Sequence, residues 1–169
     1  MGEPKKKSKK QFGGSPAQSK PLSPFVLFLD ETIHNCRPVH ESLGSMSVKY
    51  VRHGEHFKSG ALDTDWLPYA GARGWAVLTC DKRIRYNQLE RDKVMQYGVR
   101  EFVFTSGNLS GAIMGQIIKT AIPRMQKLFA HHPAPFVACI SQSGYIEVRY
   151  DKHGSVDARK KMKLRKRTR

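Results

Sequence analysis

Aspartates at three separated places in this chain stand where a carboxylate can act on a ligand. Asp30 closes the apolar run Phe25-Val26-Leu27-Phe28-Leu29, and Asp81 closes Trp75-Ala76-Val77-Leu78-Thr79-Cys80. Between them, Asp63 and Asp65 open a short segment of helical character. In an open parallel α/β sheet such positions share the carboxyl edge, where ligands bind. Carboxylates gathered there repel one another, by roughly 4 kcal/mol per pair at 4 Å and an effective dielectric near 20. A divalent cation relieves that repulsion, and an all-oxygen donor set suits Mg²⁺ or Mn²⁺. Such an ion orients and acidifies a water and stabilises charge on a phosphorane, which is the chemistry of phosphodiester hydrolysis. Thr79 shares strand parity with Asp81, and Glu31 adjoins Asp30 within reach of a metal-bound water. Lys82, Arg83 and Arg85 follow Asp81 directly and are placed to meet a substrate phosphate.

The overall charge agrees with a polyanionic partner. The 169 residues carry a formal charge of +16. Residues 1–24 contribute +5 and residues 152–169 contribute +8, leaving only +3 on residues 25–151. The expected organisation is therefore a disordered basic N-terminal tail (1–24), one domain (25–151) and a basic C-terminal tail (152–169). Such tails neutralise phosphates and release counterions without selecting a sequence. RNA is the leading partner. Solvated extensions, or segments binding a protein, are the plainer alternative. Cys36, Cys80 and Cys139 are odd in number and dispersed, which argues against a disulfide framework. The opening residues lack the apolar core of a secretory signal, and no apolar run reaches spanning length. A cytoplasmic protein without membrane attachment is the expectation.

The elements that must position the aspartates are legible as alternating runs. Phe25–Leu29 is apolar on both parities, as in a strand covered on both faces. A helix follows through Ile33, Cys36, Val39 and Leu43, with Gly44 as its stop. Residues 47–51 read as a second strand, 53–62 as a polar loop, 63–73 as a short helix and 75–80 as a third strand. Asn87 and Glu90 fit the start of a helix ending near Gly98. Strand Phe102–Phe104, a long helix from Leu109 to Phe129 kinked at Pro123, strand Phe136–Ile140 and an alternating strand 145–150 complete the order. This pattern predicts a three-layer α/β/α sandwich around a mostly parallel central sheet.

The runs Phe-Leu-Asp30-Glu31, Asp63-Thr64-Asp65-Trp66-Leu67 and Gly74-Trp75-Ala76-Val77-Leu78-Thr79-Cys80-Asp81 resemble the PIN-domain family. They are closest to its compact branch of VapC-type toxins, over roughly residues 25–150. The resemblance implies a PIN-like fold and Mg²⁺- or Mn²⁺-dependent endoribonuclease activity. It carries catalytic metal ligation onto Asp30, Asp63 and Asp81, with Asp65 as a helper. It also implies an antitoxin partner, as for toxins of that branch. Many relatives place another acid just after Thr-x-Asp, where this chain has Lys82, Arg83 and Ile84. The alternative is a non-catalytic RNA- or ribonucleoprotein-binding module on a degenerate PIN-like fold.

Other constellations fit less well. A phosphoacceptor receiver would use Asp30, Glu31, Asp81 and Thr105 but needs a Lys after Phe136–Ile140, where Ser141-Gln142-Ser143 stands. His53-Gly54-Glu55-His56 lacks the later Pro-Cys-x-x-Cys of a zinc deaminase and reads as polar surface. Gly107-Asn108-Leu109-Ser110-Gly111 is a helix entry without a Walker lysine. Trp66 and Tyr69 read as core, with base stacking as the functional alternative.

Overall fold

The computed structural model describes residues 24–106 and 108–167, with side chains through residue 164. The expected N-terminal tail, apart from Pro24, and Gly107 of the helix entry lie outside the described residues. Strands and helices alternate as β1 (Val26–Leu29), α1 (Arg37–Ser45), β2 (Lys49–Arg52), α2 (Asp63–Ala72), β3 (Ala76–Thr79), α3 (Gln88–Gln96), β4 (Arg100–Phe104), α4 (Gly111–His131) and β5 (Phe136–Ile140). Then come β6 (Ile146–Asp151), β7 (Gly154–Ser155) and α5 (Val156–Arg167). The sheet order is β2-β1-β3-β4-β5-β6-β7. The first five strands are parallel, and β6 and β7 are antiparallel.

Burial on both parities of β1 has the predicted cause. Leu27 and Leu29 face a core shared with Val39 and Leu43 of α1 and Ile118 and Ile122 of α4. Phe28 faces the other core, with Trp66 and Leu67 of α2 and Val94 of α3. Two helical layers thus enclose a mostly parallel sheet, the α/β/α arrangement that the alternation predicts. After β1 the chain passes to β2 on one side, then returns to place β3 on the other. The carboxyl ends of β1 and β3 therefore flank the topological switch point, where open α/β sheets bind ligands.

Several boundaries differ from the sequence reading for local reasons. α1 continues through Gly44, and the turn is made at Ser47, whose φ of 54° prevents the next strand from starting there. Pro38 lies in the first turn of α1, where its missing N–H costs nothing. α4 runs unbroken through Pro123. β4 begins at Arg100, two residues before its apolar triplet, which brings Glu101 into the sheet. Residues beyond 151 hold β7 and α5, and Arg159 of α5 grips Asp151 of β6 at 2.5 Å. Arg149 joins Asp157 at 2.7 Å, and Lys160 lies 3.7 Å from Glu147. Among the described residues no helix is long and apolar enough to cross a membrane.

The α1–α4 layer depends on one close approach. A Cβ at Gly115 would meet the Pro38 carbonyl oxygen at 2.7 Å and the Ser42 hydroxyl at 3.0 Å. Gly115→Ala is therefore expected to cost about 1–3 kcal/mol through overpacking. In Gly44→Ala the new methyl would meet nothing within 4 Å. That variant should gain about 0.5–1 kcal/mol from helix propensity. Thermal unfolding of the two variants checks this, and equal melting temperatures would contradict the packing account.

Candidate active site

Five carboxylates line one small cavity at the switch point: Asp30, Asp63, Asp81, Glu90 and Glu101. Thr79 completes its polar lining, and Trp66, Leu67, Ile84 and Val94 form apolar walls. Its volume of about 30 Å³ admits a water-sized group. Each acid arrives by a different element. Asp30 follows β1, Asp63 opens α2, Asp81 follows β3, Glu90 is in the first turn of α3 and Glu101 lies within β4.

Asp30 is buried, and its Oδ1 accepts hydrogen bonds from the Thr32 amide at 2.5 Å and the Thr32 hydroxyl at 2.6 Å. The Thr32 hydroxyl also accepts from the Cys80 amide at 3.0 Å. Thr79 accepts from the Asp81 amide at 2.9 Å, and the two threonine hydroxyls lie 3.4 Å apart. The two threonines thus tie the ends of β1 and β3 together. Burial raises the Asp30 pKa; the hydrogen bonds from Thr32 and Thr79 offset this in part, and the charge of Asp81 adds to it.

Asp81 is held differently. It caps the 3-10 turn Lys82–Arg85 through the Arg83 amide at 2.9 Å, and Arg83 Nη2 reaches its Oδ2 at 2.5 Å. Arg83 accordingly holds the Asp81 carboxyl below its ordinary pKa. The same guanidinium lies 3.9 Å from Glu90, and Lys93 lies 3.6 Å from Asp63. Glu101 has neither benefit. It is 5% exposed, and its Oε2 is buried without a hydrogen-bond partner. Burial first, then the charges of Asp30, Asp63, Glu90 and Asp81, push its pKa well above the usual glutamate range.

The structure therefore brings Asp30, Asp63, Asp81 and Thr79 together and leaves other named residues elsewhere. Asp65 caps α2, accepting from the Leu62 amide at 3.3 Å, and does not line the cavity. Glu31 turns outward to Ser59 and to the Gly60 amide at 3.0 Å. Lys82 and Arg83 border a larger groove that shares Asp81 with the cavity. Arg85 donates to the Thr105 carbonyl at 3.2 Å. Trp66 stacks on Phe28 at 5.5 Å as core, and Tyr69 lies under Arg73 at 3.4 Å. His53, expected on a polar surface, is 1% exposed and packs against Phe28, Phe57 and Trp66. Neither of its ring nitrogens has a hydrogen-bond partner, and burial lowers its pKa.

Sequence reasoning missed Thr32, Glu90 and Glu101. Asp30-Glu31-Thr32 carries a signal for the first, since Asp bonds readily to backbone two residues on. A lone acid beside an apolar triplet is the signal for Glu101. Hard oxygen donors and an unpartnered buried Oε2 fit a divalent cation in their chemistry. With Arg83 on Asp81, no group of three or more acidic, histidine or cysteine side chains among the described residues is arranged to hold a metal.

Comparison with known families matches residues 25–106 to the family described as PIN like domain. Searches of curated proteins and of solved structures return no match.

Glu101 generates a pH prediction. Its folded pKa is raised, so the native state releases that proton later than the unfolded chain does. Its contribution is intact below the unfolded value of about 4.5 and declines as pH rises toward the folded value. In metal-free buffer, Glu101→Gln should melt higher than the parent at pH 8, with the gap closing near pH 4. A variant that melts lower at pH 8 would show that the carboxylate is not strained.

Proposed function

The chain carries a PIN-like domain, and from that premise we propose a metal-dependent endoribonuclease that hydrolyses RNA phosphodiesters at the acid-lined cavity. One observation carries the reading. Five carboxylates from five elements share a cavity at the ligand-binding edge of the sheet, and Arg83 and Lys93 are their only cationic partners among the described residues. Asp30 and Glu101 have no ion-pair partner there, although both are buried.

Asp30, Asp63 and Asp81 would hold Mg²⁺ or Mn²⁺, with Glu101 and Glu90 beside them. Asp65, a helper by resemblance, accepts from the Leu62 amide and is better read as an α2 cap. The ion would supply an acidified water and neutralise charge on the phosphoryl oxygens. The protein's own part is positioning. Thr32 fixes the Asp30 carboxylate in one rotamer, and Thr79 sets the backbone that presents Asp81. Arg83 is a substitute counter-charge in this reading. With an ion on Asp81 it would be free, with Lys82, to meet the substrate phosphate, while Arg85 would act further along the strand.

The second reading, a non-catalytic RNA-binding module, is favoured by the Arg83–Asp81 bond itself, which closes the cavity without any ion. An antitoxin partner rests on the resemblance to the toxin branch. Cytoplasmic residence agrees with three cysteines that are all free.

Asp81→Asn should lower Mn²⁺-dependent cleavage of labelled RNA by about 100-fold or more, since several kcal/mol of charge stabilisation is removed. Its far-UV circular dichroism should match the parent. Full cleavage by a contaminant-free Asp81→Asn preparation would overturn the enzyme reading, and EDTA-resistant binding without turnover in the parent would establish the module instead.

A further inference from the structure

The 3-10 turn Lys82–Arg85, which follows Asp81, leads to a second surface. Arg85 and Tyr86 line a pocket of about 200 Å³ with Arg149, Tyr150, Ser155 and Asp157. Tyr86 is 75% exposed, and the Arg85 guanidinium lies 5.3 Å from its ring centroid. The Arg91 guanidinium sits 4.5 Å from the ring centroid of Tyr150, which lines the pocket. An aromatic ring left in water beside guanidinium groups presents a π-face for stacking.

Beyond the pocket stands α5, whose sequence has seven Lys or Arg against one Asp. The acids of β6 are occupied: Asp151 pairs with Arg159 and Glu147 with Lys160 of α5, and Glu147 also with Arg149 of its own strand. Lys161 and Lys163 are exposed on the same helix. Asp81 and Lys82 thus border one groove, and Arg85 and Tyr86 border a pocket that reaches Asp157 at the start of α5. Arg85 and Tyr86 lie within the residues matched to the family, and Arg149, Tyr150 and α5 lie outside them.

We propose that single-stranded RNA runs along a track from this groove through the pocket to α5, with one base stacked on Tyr86 and the flanking phosphates on Arg85 and the outward lysines of α5. The inference rests on the nuclease reading only for the identity of the strand that enters the cavity. A single strand is required because paired bases are not free to leave their own stack for an exposed side chain. The charge of α5 supplies affinity without sequence preference, and Tyr86 selects for unpaired bases.

The test uses the full chain in EDTA, with fluorescence anisotropy on a labelled uridine-rich oligonucleotide and on an RNA duplex of equal length. Tyr86→Ala should weaken single-strand binding about tenfold, whereas Tyr86→Phe should stay within about twofold. Duplex binding should be the same for all three proteins. Lys161→Glu with Lys163→Glu should flatten the dependence of log K on log salt by about 1.4, the share of two single-strand phosphate contacts. Unchanged single-strand binding by Tyr86→Ala, or an equal loss on the duplex, overturns the track. Tyr86-dependent binding by a parent protein that cuts nothing in Mn²⁺ would defeat the nuclease reading and leave the track standing. Cleavage in Mn²⁺ with Tyr86-independent binding would do the reverse.

Discussion

Mutual repulsion among carboxylates in a cavity too small for bulk water is the constraint on which the other features of this domain turn. Five acids cannot share about 30 Å³ as five full charges unless something positive joins them. The protein as it stands uses three answers at once. Arg83 and Lys93 offset Asp81, Glu90 and Asp63 from the rim. Hydrogen bonds from Thr32 and Thr79 partly offset the desolvation of Asp30. Glu101 has no such help, and burial with the neighbouring charges pushes its pKa well up. A doubly charged ion would answer the same repulsion in one step, which is the ground on which we propose a cation there.

The fold exists to enforce that crowding. Parallel pairing of β1 with β3 sets Leu29 opposite Leu78, so the residues that follow emerge side by side at one edge. β4 lies next to β3 and brings Glu101 beneath them. Helices α2 and α3 approach on one face, and their first turns add Asp63 and Glu90. Burial of Phe28, Trp66, Val94 and Ile84 holds these elements to the sheet, so the acids cannot relax apart without exposing that core. On the opposite face, Gly115 lets α4 approach α1 closely.

Much of this was legible in the residues. The apolar runs located β1, β3 and β5, and their terminal acids identified the edge at which Asp30 and Asp81 would meet. What escaped depended on tertiary context. Glu101 escapes a reading from sequence because the apolar triplet alone marks β4, and only pairing with β3 and β5 shows that the strand starts at Arg100. Glu90 fitted a capping pattern, and nothing local marks a first-turn acid as also facing a distant cavity. Asp65 and Asp63 are alike in sequence, but on a helix two residues apart they point in different directions. His53 looked polar by type and is buried because Phe28, Phe57 and Trp66 close over it. The basic C-terminal stretch gave no apolar periodicity, since α5 is docked by ion pairs with β6.

The most direct measurement is anomalous diffraction from crystals of the unmodified chain soaked in Mn²⁺. The account predicts a peak bounded by Asp30, Asp63 and Asp81, with the Arg83 guanidinium displaced from Asp81. A cavity free of anomalous density, with Arg83 still bonded to Asp81 at saturating Mn²⁺, would contradict it.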